Sequence, residues 1–125
     1  MATKLIVMAM LGASGTLARY GLQGLVYRIY PGGFPLGTLI VNLLGCFLFG
    51  LIWPLAEERL IISGEMRTII LIGFMGSFTT FSSFIFETGE LLRESEWLLA
   101  MANLLIQNVV GLGALYAGMA LGKSL

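Results

Sequence analysis

The run Gly73-Phe74-Met75-Gly76-Ser77-Phe78-Thr79-Thr80-Phe81-Ser82-Ser83-Phe84 decides how this sequence is read. It lies inside a hydrophobic segment, residues 67–92, longer than the roughly 20 residues a helix needs to cross a bilayer. Two glycines, a crowd of hydroxyls and the β-branched pair Thr79-Thr80 nevertheless make poor helix in mid-membrane. A break is therefore expected near Gly76 to Thr80. It would free backbone carbonyls, which hydrocarbon tolerates only where they meet protein, water or an ion. Carbonyls with no carboxylate beside them suit a weakly held hard cation such as Na⁺ or K⁺. Phe78, Phe81 and Phe84 step by three and are expected to share one face of the helix beyond the break. Such a stripe ordinarily packs a core, but beside so many hydroxyls its positive ring edges can also face an anion.

The rest of the chain agrees with a membrane setting. Of 125 residues, 58% are hydrophobic and 11% charged, and the mean hydropathy of +0.93 lies far from that of an average soluble domain. Hydrophobic runs at about 5–28, 36–56, 67–92 and 97–122 make an all-α, four-span transmembrane domain over residues 1–125. Turn or charged segments separate them: Tyr30-Pro31-Gly32-Gly33-Phe34-Pro35, Glu57-Glu58-Arg59 through Glu65-Met66-Arg67, and Arg93-Glu94-Ser95-Glu96. Loops this short make neighbouring helices antiparallel and put both termini on one side. The opening Lys4-Leu5-Ile6-Val7 could begin a signal peptide, but hydrophobicity resumes after Arg19, as a full span requires.

Charge and composition exclude several functions. Seven Lys plus Arg balance seven Glu, so nothing suggests a nucleic-acid partner. There is no His, no Asp and one cysteine, which removes zinc clusters, nucleophile triads and internal disulfides, and with them any reading as an enzyme. Lys4, Arg59, Arg67 and Lys123 fall at one face of the bundle, Arg28 and Arg93 at the other. A lean of four against two is weak under the positive-inside rule, and permits insertion both ways or a fixed orientation with cytoplasmic termini.

Within the spans, the polar residues carry the information. Thr38, Asn42 and Cys46 follow at i+4 and line up a hydroxyl, an amide and a thiol on one helix face. They read either as a donor track for a solute or, for Asn42, as interhelical glue. Cys46 by itself reads as a small buried hydrophobe. The fourth span repeats the spacing with Asn103, Gln107, Gly111, Ala114, Gly118 and Gly122. Its lower part is expected to pack closely through Gly118 and Gly122, leaving Asn103, Gln107 and Asn108 as candidate pathway residues. Arg19, with no acidic residue in its own span, calls for a partner on another helix or subunit. Glu87 is placed to reach a vestibule, and Glu90 and Glu94 to form a solvated helix end.

Gly37-Thr38-Leu39-Ile40-Val41-Asn42, the Gly73–Phe84 run and Gly12-Ala13-x-Gly15-x-x-x-Arg19-Tyr20 together resemble the Fluc (CrcB) fluoride channels over most of the chain. The resemblance implies a dual-topology homodimer of two antiparallel subunits, passive fluoride conduction that exports the ion from the cytoplasm, and a prokaryotic plasma membrane. It also implies a structural Na⁺ at the dimer interface, held by the backbone carbonyls of Gly76 and Thr79 from both subunits. By the same resemblance Phe81 and Phe84 are the anion-facing rings and Asn42 the pore amide, with Thr38, Ser82 and Ser83 as nearby hydroxyls and Arg19 near a vestibule. One departure is Leu112 after Gly111, where family members often carry serine; Asn103, Gln107 or Asn108 would then substitute along that helix.

Two rivals fit less well. A small proton-coupled multidrug exporter needs a carboxylate in its first span, and residues 5–28 hold no Glu. A non-transporting assembly subunit needs only glycine-rich helices, and leaves Asn42 and the run from Thr79 to Phe84 without a purpose.

Overall fold

The computed structural model describes residues 1–125 and is all helical. α1 (Ala2–Ile29) and α2 (Leu36–Glu57) coincide with the first two hydrophobic runs. The third run is composite: α3 (Gly64–Thr68), a π-helical stretch (Ile69–Met75), α4 (Gly76–Phe78), and, beyond Thr79 and Thr80, α5 (Phe81–Arg93). α6 (Trp97–Ser124) is the fourth. All four segments are long and apolar enough to cross a membrane.

Local chemistry sets the boundaries. The Ser63 side chain caps α3 by accepting from the Met66 N–H at 3.1 Å, with Glu65 in the first turn to complement the helix dipole. At the end of α5, Ser95 adopts φ 61° while its N–H donates to the Leu92 carbonyl and the Glu96 N–H to that of Leu91. This is a Schellman ending with serine in the place usually held by glycine, and it turns the chain straight back into α6.

α2 and α6 pack so closely that glycine is required between them. A Cβ on Gly118 would run into the Phe47 carbonyl, and one on Gly50 into that of Leu115. The packing role expected for the lower glycines of the fourth span is what the structure shows. α1 lies against the first half of the third segment, where a Cβ on Gly73 would stand 3.0 Å from the Met8 carbonyl. The buried centre is Val41, Leu71, Met75 and Phe78, and Phe74 stacks on Phe78 with ring centroids 5.6 Å apart.

The break redirects the third segment. Its first half touches α1 and the second half touches α6, while α1 and α6 do not touch each other. The bundle is therefore open along one side, with α2 as the floor of a groove between the first half of the third segment and α6. Charges sit at segment ends. Arg67 pairs with Glu57 and stacks over Trp53, Lys123 pairs with Glu58 at 3.4 Å, and Arg93 pairs with Glu90 at 2.6 Å.

Candidate functional site

The groove holds a cavity of about 370 Å³ whose wall includes Asn42 and Cys46 from α2, Gly76, Thr79 and Thr80 at the break, Phe81 and Phe84 from α5, and Gln107 and Asn108 from α6. At its centre one side chain replaces a missing turn of helix. Asn42 Oδ1 accepts from the Thr80 N–H at 2.9 Å, and Asn42 Nδ2 donates to the Thr80 carbonyl at 3.0 Å. A peptide unit left bare in hydrocarbon costs several kcal/mol, so this bracket is what lets Thr79 and Thr80 take extended backbone, with ψ of 160° and 114°. Thr80 then caps α5, its hydroxyl accepting from the Ser83 N–H at 3.2 Å.

These two side-chain bonds have a further consequence. In an unbroken helix the Thr80 N–H would serve the Gly76 carbonyl and the Ser83 N–H that of Thr79. Asn42 and the Thr80 hydroxyl have diverted both donors, so the Gly76 and Thr79 carbonyls lose their helical partners beside the cavity that both residues line. Two carbonyl oxygens released in this way, with no carboxylate among the cavity residues, fit the donor set of a hard monovalent cation.

A ladder of amides continues from Asn42 across to α6. Asn42 Nδ2 also donates to Gln107 Oε1 at 2.9 Å, Gln107 Nε2 to Asn103 Oδ1 at 3.2 Å, and Asn103 Nδ2 to the Thr88 hydroxyl at 2.9 Å. Thr88 in turn donates to the Phe84 carbonyl at 2.8 Å. Phe81 stands edge-on to Phe84, centroids 5.8 Å apart and planes at 68°. Phe84 is 5% exposed and Phe81 74%, so the second ring is presented to whatever fills the groove.

The structure gathers only part of the expected set in the groove. Asn42, Phe81 and Phe84 meet there with Gly76 and Thr79. Thr38 does not: it is fully buried toward the Tyr30–Pro35 loop, accepting from Gln23 Nε2 at 3.1 Å and donating to Glu87 Oε1 at 2.8 Å. Ser83 is tied to Thr80, Ser82 is exposed, and Arg19 lies half-buried on α1 with no ion pair inside the chain. Glu87 lines a second cavity of about 190 Å³ at the loop end, beside Tyr27, Glu90 and Glu94.

Three expectations are corrected. Phe78 does not share a face with Phe81 and Phe84, because the extended Thr79-Thr80 link resets the helical phase and leaves Phe78 in the core. Cys46 is half-exposed on the groove wall, since nothing within one chain covers that face of α2. Asn103 is fully buried and belongs to the ladder, while Gln107 and Asn108 remain on the wall. Sequence reasoning missed Gln23 and the reciprocal Asn42–Thr80 bracket. The i+4 rows on α2 and α6 were the available signal, but which amide faces which is settled only by packing.

Residues 6–119 match the family described as CrcB-like protein, Camphor Resistance (CrcB). A protein of Nitrosococcus oceani named fluoride-specific ion channel FluC is 56% identical over 120 residues, covering 96% of each chain. Proteins of the same name from Desulforapulum autotrophicum and Solidesulfovibrio magneticus are each 54% identical, covering 96% and 98% of both chains respectively. A match of this extent places the protein in the CrcB family.

Proposed function

We propose that the protein is a multi-pass channel of a prokaryotic plasma membrane that conducts fluoride passively out of the cell, as an antiparallel homodimer with one Na⁺ between its subunits. The observation that carries this reading is the bracketed break: an amide holds Thr80 extended, two carbonyls are released, and the exposed Phe81 ring stands edge-on to Phe84. Fluoride is small and tightly hydrated, so its passage needs neutral donors that replace water stepwise and bind it without trapping it. Amides, hydroxyls and ring edges meet that need. Once a second copy closed the open side of the groove, the confined path would exclude larger chloride by size.

The open side of the bundle supports the dimer, since a second, inverted copy would cover the groove, Cys46 and the Phe81 ring. Gly76 and Thr79 of each subunit would then hold Na⁺ through their carbonyls. The cation would supply positive potential beside the anion path and a link between the two chains. Ser82 and Ser83 would provide hydroxyls along the approaches and Arg19 a positive vestibule, while Thr38, its hydroxyl committed to Glu87, would hold α2 against the loop end. Fluoride that entered as neutral HF and ionised inside would leave down its gradient by this route. Names of relatives at 54–56% identity over nearly the whole chain support the same substrate. Expression in a bacterium stripped of its own fluoride exporter should restore growth in fluoride medium; growth no better than that of the empty-vector strain would contradict the reading.

A further inference from the structure

The amide ladder has a fixed direction. The Thr80 N–H can only donate and its carbonyl can only accept, so Asn42 must turn Oδ1 to the first and Nδ2 to the second. The other Nδ2 proton then needs an acceptor, which turns Gln107 Oε1 toward Asn42 and Nε2 toward Asn103. Asn103 must in turn face Thr88 with its nitrogen, and Thr88 ends the ladder on the Phe84 carbonyl. Backbone groups of one segment thus anchor both ends.

Counting protons along this ladder separates the two of its amides that line the groove, Asn42 and Gln107. Asn42 has two N–H groups, and both are engaged, one by Thr80 and one by Gln107. Gln107 also has two, but only the one directed at Asn103 has a protein partner. Gln107 is half-buried on the wall of the same cavity as Phe81 and Phe84. We propose that the free Nε2–H of Gln107 is the amide donor that meets the anion, with Asn42 and Asn103 as positioning residues that hold it and the break in place. This rests on the channel reading and deepens it. A neutral amide suits the task because a hydrogen bond to an anion is about twice as strong as one between neutral groups, while adding no charge that would hold the ion.

Two measurements test the assignment. In liposomes, Gln107→Met keeps the length of the side chain but removes donor and acceptor. The half-saturating fluoride concentration should rise about ten- to hundredfold, the loss expected for one hydrogen bond to a charged group. Asn103→Val removes a positioning partner and should lower the maximal rate while moving half-saturation less. Half-saturation unchanged in Gln107→Met would overturn the proposal. Because that variant also takes an acceptor from Asn42 and could misfold, the unaltered protein provides the second measurement. The chain has two glutamines, Gln23 and Gln107, so glutamine labelled with ¹⁵N at its side-chain amide gives two NH₂ signals, assigned with Gln23→Leu. Sodium fluoride in detergent solution should shift one Gln107 amide proton, and sodium chloride should not; asparagine labelling should show the Asn42 protons unmoved. Fluoride shifting Asn42 and leaving Gln107 in place would overturn the assignment. Wild-type protein that releases no fluoride would instead remove the channel reading itself, so the two failures are distinct.

Discussion

At the scale of single residues, the site is made by side chains that take over backbone duties. Asn42 pairs with both polar groups of Thr80, and Thr80 pairs with Ser83, so the chain can leave the helix inside an apolar slab without a bare peptide. Phe81 has no such structural duty, being 74% exposed and touching Phe84 edge-on. Phe81→Ile should therefore preserve folding and lower fluoride efflux about three- to tenfold, the rate equivalent of a ring-edge interaction of about 0.5–1.5 kcal/mol. Monodisperse protein with unchanged efflux would show that the ring only packs. The i+4 row of Thr38, Asn42 and Cys46 was legible in the sequence, as was the association of phenylalanine with hydroxyls. Their division of labour was not, because Thr38 turns to Gln23 and Glu87 and Asn42 to Thr80, choices made by the neighbouring helices.

At the scale of elements, close contacts through glycine fix α2 against α6 and α1 against the third segment. Gly118 and Gly113 lie on the same helix and provide an internal contrast. A Cβ on Gly118 would meet the Phe47 carbonyl, whereas one on Gly113 meets nothing within 4 Å. Gly118→Ala should cost about 1–3 kcal/mol by overpacking, while Gly113→Ala should be neutral or gain up to about 1 kcal/mol from helix propensity. Thermal unfolding in detergent reads both, and equal transitions for the two variants would contradict the packing described. The break at Thr79-Thr80 could be foreseen from its glycines and β-branched pair. The π-helical stretch before it could not, since a wider turn depends on how α1 presses on that segment rather than on the propensities of Ile69–Met75.

At the scale of the whole molecule, one chain leaves its polar groove uncovered, and this is why a second copy enters the account. Four membrane-length segments were legible in hydropathy alone, whereas the open side was not, because no local pattern says that α1 and α6 fail to meet. Inverted pairing requires insertion in both directions. With Cys46 replaced by alanine, single cysteines from Gly33→Cys and Ser63→Cys, in loops at opposite ends of the bundle, should each be labelled from both sides of the membrane. Labelling of each from one side only would rule out the inverted dimer. The most direct test of the central claim is ion efflux from liposomes containing the purified protein, compared for fluoride and chloride after a potassium ionophore is added. The account predicts rapid loss of fluoride with chloride retained; fluoride release no faster than from protein-free liposomes would contradict it.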